Sequence, residues 1–168
     1  MSHAPDLVID LLGASHDRSG FDCGHDVLNR YLTTQATQDV RRNFAQTYVL
    51  VQHNRNVIGY YTLSASVIEH AHLPVAAREK LPRYPIPAAL IGRLAVDKRY
   101  QRQGLARKLL GDALHRAVAM SKTIGIHAVV VDAKDVAVAA FYDKFGFIPL
   151  SDSSLHMYLP IKTVKAAL

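Results

Sequence analysis

The chain has 168 residues, 49% hydrophobic and 20% charged, which fits one soluble domain with a buried core and excludes a largely disordered polymer. Twenty Lys and Arg against 14 Asp and Glu give a net charge of +6 and favour a polyanionic partner. No apolar run approaches the roughly twenty residues of a membrane span, and the single cysteine, Cys23, excludes an intrachain disulfide or a thiolate metal cluster.

In chain order, Met1-Ser2-His3-Ala4-Pro5-Asp6 has no basic region followed by a hydrophobic stretch, so a cytoplasmic location is expected. Residues 7–12 are predicted as a first strand and 15–24 as a polar loop. A helix follows, with Val27, Leu28, Tyr31, Leu32 and Gln35 at 3.6-residue spacing and Asp22 or Asp26 as its cap. Residues 44–52 and 57–66 are rich in Val, Tyr, Ile and Thr around His53-Asn54-Arg55-Asn56, which predicts a hairpin. A short helix is expected over 74–81, and Pro82, Pro85 and Pro87 then force an extended segment into a central strand. A long helix beyond Gly104 would bury Leu105, Leu109, Ala113, Leu114 and Ala117. A strand over 126–132, a helix over 136–145 and a last strand over 155–161 complete an α/β chain with a mixed sheet, read as one domain over 1–168. Nine histidines are scattered, His70-Ala71-His72 being the closest pair, and no metal-ligand spacing is present, so no metal is expected.

The stretch Leu90-Ile91-Gly92-Arg93-Leu94-Ala95-Val96-Asp97 followed by Lys98-Arg99-Tyr100-Gln101-Arg102-Gln103-Gly104-Leu105-Ala106 carries the most information. An apolar strand ends at Asp97, a basic turn follows, and Gly104 opens a helix whose free N-terminal amides suit a pyrophosphate. A nucleoside-triphosphate loop needs GxxxxGK[ST], and here Leu105-Ala106-Arg107 follows Gly104. A dinucleotide fingerprint needs three glycines, and only Gly104 is present. What remains, Gln101 to Ala106 as QxxGxA, resembles the [QR]xxGx[GA] signature of GNAT-type N-acetyltransferases. About thirty residues later, Asp135 to Phe147 reads DVAVAAFYDKFGF, similar to that family's NxxAxxxYxxxGF, with Asp135 in place of Asn and Val138 in place of a small residue.

The resemblance implies a GNAT acyl-CoA N-acyltransferase fold, a central mixed sheet of six to seven strands flanked by about four helices. It implies acetyl-CoA as co-substrate, bound through Leu94, Ala95, Val96, Gln101, Arg102, Gln103, Gly104, Leu105, Ala106 and Arg107, with Asp135 and Phe141 from the second motif. Tyr142 takes the place of the general acid that protonates the departing thiolate, and amides near Leu94 to Val96 that of the oxyanion donors. Ala88 to Val96 holds no acidic residue, and Glu69 and Glu79 are the only glutamates. An α-amine with a pKa of about 8 is partly neutral at pH 7, whereas a lysine is not, so the missing base favours an aminoacyl ester as acceptor.

A narrower resemblance covers almost the whole chain. FDCG at 21–24, Arg93-Leu94-Ala95-Val96-Asp97, Ala133-Lys134-Asp135, Phe141-Tyr142, Phe145-Gly146-Phe147 and Leu155-His156-Met157 look like the acetyltransferase toxins of bacterial toxin-antitoxin modules. Those enzymes acetylate aminoacyl-tRNA and block translation. The resemblance implies a homodimer and a ribbon-helix-helix antitoxin as partners, with Arg93 at the substrate. Arg41 and Arg42, away from the cradle, are expected along the RNA backbone, and Cys23 is expected to pack rather than react. Two other classes stay open at this point: a non-toxic acetyltransferase of a small amine or protein N-terminus, and a non-catalytic binding module on the same fold.

Overall fold

The structure, a computed structural model, describes residues 6–168; Met1-Ser2-His3-Ala4-Pro5, which bear on the expected absence of a leader, lie outside the described residues. In order the chain forms β1 (Leu7–Leu11), α1 (Asp26–Arg30), α2 (Ala36–Arg41), β2 (Gln46–Gln52), β3 (Asn56–Ile68), α3 (Val75–Arg78) and β4 (Ile86–Val96). It continues with α4 (Leu105–Met120), β5 (Ala128–Asp132), α5 (Val136–Asp143), β6 (Ile148–Pro149), β7 (His156–Pro160) and α6 (Ile161–Ala167). The described strands make one seven-stranded mixed sheet in the order β1-β2-β3-β4-β5-β7-β6. With α1 and α2 counted as one interrupted helix, five helices flank it rather than four. The extra one is α6, which starts at Pro160 where only a strand end is expected; its buried face is just Ile161 and Val164, too short a pattern to read as a helix.

Two compact units make up the chain: residues 6–64 with Gly92–Ala113, and Ala65–Ile91 with Leu114–Leu168. In the first, β1 runs antiparallel to β2 from Leu7↔Gln52 to Leu11↔Tyr48, and β2 antiparallel to β3 from Gln46↔Leu63 to Gln52↔Asn56. The hairpin turn places His53 and Asn54 at φ of 55° and 59°, the left-handed conformation that a tight antiparallel turn requires. Tyr60 sits at the centre of this core, stacked on Tyr31 at 6.3 Å and met edge-on by Phe21 at 5.6 Å. Gly59 is needed for close approach, because a Cβ there would lie 3.1 Å from Leu109 Cδ1 and 3.2 Å from the Ala95 carbonyl.

The first helix departs from expectation in two ways. Its N-cap is His25 with no side-chain cap, so neither Asp22 nor Asp26 fills that role. Asp22 instead accepts from Gly24 N at 2.8 Å and Asn29 Nδ2 at 2.9 Å, while Asp26 stands in the first turn, where its charge complements the helix dipole. Val27 is 74% exposed, and burial starts only at Tyr31 and Leu32. Tyr31–Gln35 forms a wider π-helical turn between α1 and α2, where Thr34 Oγ1 donates back to the Arg30 carbonyl at 2.6 Å.

In the second unit, Ala88–Ile91 of β4 pairs parallel with Ala128–Val131 of β5, and β5 pairs antiparallel with β7 from Ala128↔Pro160 to Asp132↔His156. Beyond that register β4 runs on through Gly92 to Val96. Ile68, Leu73, Ile86, Ala128, Val130 and Tyr158 form the core here. Along α4 the expected Leu105, Leu109, Ala113, Leu114 and Ala117 are all buried, together with Leu110.

Leu109 is fully buried. Leu109→Ala is expected to cost about 2–5 kcal/mol, read as a fall in thermal midpoint of about 5–15 °C by circular dichroism.

Candidate active site

Asp97 ends β4 with its side chain only 2% exposed. A carboxylate withdrawn this far from water persists only when donors surround it. Here Oδ1 accepts from Arg99 N at 2.9 Å and Arg99 Nε at 3.1 Å, and Oδ2 from Asp22 N at 3.1 Å and Arg99 Nη2 at 3.2 Å. These donors outweigh desolvation and hold its pKa below the usual 3.8.

The same contacts fasten the Phe21-Asp22-Cys23-Gly24 loop to the turn. Lys98 N donates to the Asp22 carbonyl at 2.8 Å, and Lys98 Nζ lies 3.0 Å from Asp22 Oδ2. The Asn29 hydrogen bond, then Gly24 N and Lys98, lower the Asp22 pKa to about 2. Gln101 Nε2 donates to the Val96 carbonyl at 2.8 Å and the Cys23 carbonyl at 3.2 Å, so its side chain braces the turn from within. Cys23 itself is buried and packs with Phe21 and Tyr31. The sequence showed these residues as the end of a polar loop before a helix and as part of a resemblance; their place as a wall of the turn comes from contacts between distant positions.

Arg102 and Gly104 adopt φ of 63° and 78°. For Arg102 this left-handed backbone is uncommon, and at Gly104 it explains the glycine, since a Cβ there would meet nothing within 4 Å. The space beside Gly104 is therefore open. From it α4 rises, with Lys108 N to the Gly104 carbonyl at 3.1 Å opening the helical ladder and no acidic residue in the first turn. Arg102, Arg107 and Lys108 are exposed around it, and Lys98 and Arg99 pair with Asp22 and Asp97. An open glycine, a positive helix end and exposed cations fit the pyrophosphate of a coenzyme.

Next to this turn on β4, the Arg93 guanidinium lies 3.5 Å over the Tyr31 ring. Tyr31 donates its hydroxyl proton to Asp39 Oδ2 at 2.7 Å, and burial followed by that bond pushes its pKa up to about 12. Arg93 and Tyr31 line a cavity of about 210 Å³ with Arg30, Thr34 and Gln35. Tyr31 and Asp39 escaped the sequence pattern, in which Tyr31 reads as a core position. Arg41 and Arg42 lie exposed at the end of α2.

In the second unit, Tyr142 on α5 is 5% exposed, ringed by Phe141 at 5.2 Å and Phe147 at 5.3 Å, both edge-on. Phe145 extends the stack from Phe141 at 5.1 Å. Burial first, then the negative charge of Asp132, drives the Tyr142 pKa well above 10.0. Asp135 caps α5, its Oδ1 accepting from Val138 N at 2.9 Å. Its side chain thus has a structural occupation, one that asparagine performs equally well. The helix ends as Gly146, at φ 92°, donates to the Asp143 carbonyl.

Among the described residues no group of three or more metal-ligating side chains occurs and no helix is long and apolar enough to cross a membrane. The sheet, the left-handed turn into α4 and the buried tyrosine on α5 define an acetyltransferase. A model of the acetyltransferase (GNAT) domain matches residues 44–149, and the chain belongs to that family. The tRNA-acetylating toxin of Mycobacterium tuberculosis is 33% identical over 150 residues, 89% of this chain and 89% of that protein. The structure of AtaT complexed with acetyl-methionyl-tRNAfMet aligns with a TM-score of 0.90 at 35% identity, over 96% of this chain and 99% of that one. A tyrosine-to-phenylalanine mutant of KacT aligns with a TM-score of 0.91 at 32% identity, again over 96% and 99%. AtaT has also been solved as AtaTR with acetyl-CoA and with the C-terminus of the antitoxin AtaR.

Removing the Asp97 carboxylate would leave the part-buried backbone amides of Asp22 and Arg99 without their acceptor. Asp97→Ala is expected to lower stability by about 2–4 kcal/mol at pH 7 in urea unfolding. Because the folded pKa is depressed, the wild-type advantage is present above the unfolded value of 3.8 and disappears as pH falls below it.

Proposed function

We propose that this chain is an acetyl-CoA-dependent N-acetyltransferase toxin that acetylates the amino group of aminoacyl-tRNA and so blocks translation. The observation that carries this reading is likeness along nearly the whole chain, at 33–35% identity, to a tRNA-acetylating toxin and to AtaT in complex with acetyl-methionyl-tRNAfMet.

In this reading Gln101, Arg102, Gln103, Gly104, Leu105, Ala106 and Arg107 hold the coenzyme pyrophosphate, chiefly through amides and exposed cations. The Leu94, Ala95 and Val96 backbone takes the pantetheine arm, and the family resemblance adds Asp135 and Phe141 as coenzyme contacts. Acetyl-CoA supplies a thioester that the acceptor nitrogen attacks. Tyr142 keeps its proton at every physiological pH because burial opposes the phenolate, and it gives that proton to the leaving sulfur. Arg93, stacked on Tyr31, borders the acceptor, and Arg41 and Arg42 follow the RNA phosphates. The toxin acts in the cytoplasm as a homodimer neutralised by a ribbon-helix-helix antitoxin.

Transfer of radiolabelled acetyl from acetyl-CoA to charged and uncharged tRNA tests the reading. Label is expected on charged tRNA alone, reduced about 100-fold or more in Tyr142→Phe. Label on small amines or protein N-termini instead would identify a non-toxic acetyltransferase, and equal transfer by Tyr142→Phe would remove its role. Gly104→Glu, which puts a carboxylate into the anion cradle, is expected to weaken acetyl-CoA binding at least about tenfold by calorimetry while the folded spectrum is kept.

A further inference from the structure

The proposed reaction has an acid and lacks a proton acceptor: β4 bears no carboxylate, and Tyr142 holds its own proton. The second unit contains a cluster that this reading leaves unused. Asp132 ends β5 and His156 begins β7, and the two are register partners across the antiparallel pair. His156 Nε2 lies 3.3 Å from Asp132 Oδ1, and Nδ1 lies 2.9 Å from Asp152 Oδ2. The backbone fixes this array, with Ala133 N donating to the Leu155 carbonyl and Leu150 N to the His156 carbonyl, both at 2.8 Å.

A cavity of about 180 Å³ opens beside the cluster, floored by Ile68, Leu90, Val130 and Leu150. His156 and Asp132 keep 43% and 52% of their side chains exposed, so a ligand or water reaches them. The other ionisable groups facing His156 are Asp152 from the loop before β7, His72 with Nδ1 3.9 Å from Asp152 Oδ2, and Glu69 on the cavity wall. Asp132 also bears on Tyr142, whose phenol its charge helps to keep protonated.

Resting on the reading of the chain as an aminoacyl-tRNA acetyltransferase, we infer that His156 is the proton acceptor for the acceptor amine, with Asp152 orienting its Nδ1–H and Asp132 stabilising the proton gained at Nε2. In the tautomer with hydrogen on Nδ1, that atom donates to Asp152 and the Nε2 lone pair is left to take a proton beside Asp132. Two N–H bonds of the acceptor ammonium break, one C–N bond forms and the thioester C–S bond breaks. One proton passes by way of His156 to solvent. The other reprotonates Tyr142 after its own proton has gone to sulfur, so one proton is released per acetyl transferred. The hydrogen bond that His156 donates to Asp152 raises its pKa above 6.5, and the charges of Asp132 and Asp152 act in the same direction. An acid and a base with oppositely suited environments then stand in one unit.

The pH dependence of kcat under single-turnover conditions, with charged tRNA and saturating acetyl-CoA, tests this for wild type, His156→Gln and the near-isosteric Asp132→Asn and Asp152→Asn. Wild type is expected to keep its rate at alkaline pH and to lose it as His156 becomes protonated on acidification. In His156→Gln kcat should fall about 100-fold at pH 6.5. The deficit should narrow to less than about fivefold at pH 8.5, where the α-amine is itself largely neutral. Asp132→Asn and Asp152→Asn, which carry the test if His156→Gln fails to fold, should show the same pH-selective loss to a smaller degree. A wild-type profile in all three, a change in KM alone, or a loss equal at both pH values overturns the relay and leaves the toxin reading standing. Absence of transfer to charged tRNA by wild type overturns both.

Discussion

The turn between β4 and α4 depends on keeping one carboxylate dry. Asp97 is 1% exposed, and such a charge is tolerated only where hydrogen bonds replace water on both oxygens. The donors come from Asp22 in the loop before α1 and from Arg99 in the turn after β4. Satisfying Asp97 therefore joins two parts of the chain 75 positions apart. Gln101 repeats the join by bridging the Cys23 and Val96 carbonyls. The strand end, the loop and the turn become one braced piece, and the left-handed backbone at Arg102 and Gly104 is held in advance of any ligand.

Internal pairing also changes what the charge total means. Lys98 is matched by Asp22 and Arg99 by Asp97, so two of the most conspicuous cations of the motif are structural. Positive charge that remains near the turn includes the exposed Arg102 and Lys108 and the N-terminal end of α4. Arg93 is partly withdrawn by its stacking on Tyr31, which fixes the direction of its guanidinium at the expense of its freedom. Other surplus positive charge sits at exposed positions such as Arg41 and Arg42, away from the motif that first draws the eye.

Features that are local in the chain were legible in its letters. Strand, basic turn and helix follow one another from Leu90 to Leu110, so the turn and the buried face of α4 could be read from periodicity and a single glycine. The hairpin around Asn54 was equally plain. Asp22 misled, because a short polar side chain just before a helix has the chemistry of a cap, yet its carboxylate was taken by Gly24, Asn29 and Lys98. The π-helical turn at Tyr31–Gln35 leaves no mark beyond two adjacent threonines, and α6 is too short to show a period. Tyr31 looked like core and is core, and its partnership with Arg93 and Asp39 appears only once β4 and α2 are folded beside it.

The lack of an acid along β4 first read as a clue about the acceptor: with no base on the strand, the amine itself had to be weakly basic. That inference treats a strand as though its neighbours in sequence were its neighbours in chemistry. In a sheet the nearer neighbour is the residue directly across the ladder, about 4.5–5.5 Å away. Asp132 and His156 meet in this way, one ending β5 and the other opening β7, while Asp152 returns from the intervening loop to the far side of the imidazole. Each is unremarkable alone: an acid after an apolar strand, a polar residue before one, an aspartate in a serine-rich loop. Strand register turns them into a carboxylate–imidazole–carboxylate array, and the same Asp132 adds its field to the burial that keeps Tyr142 protonated. One carboxylate thus favours the neutral phenol and the protonated imidazole together.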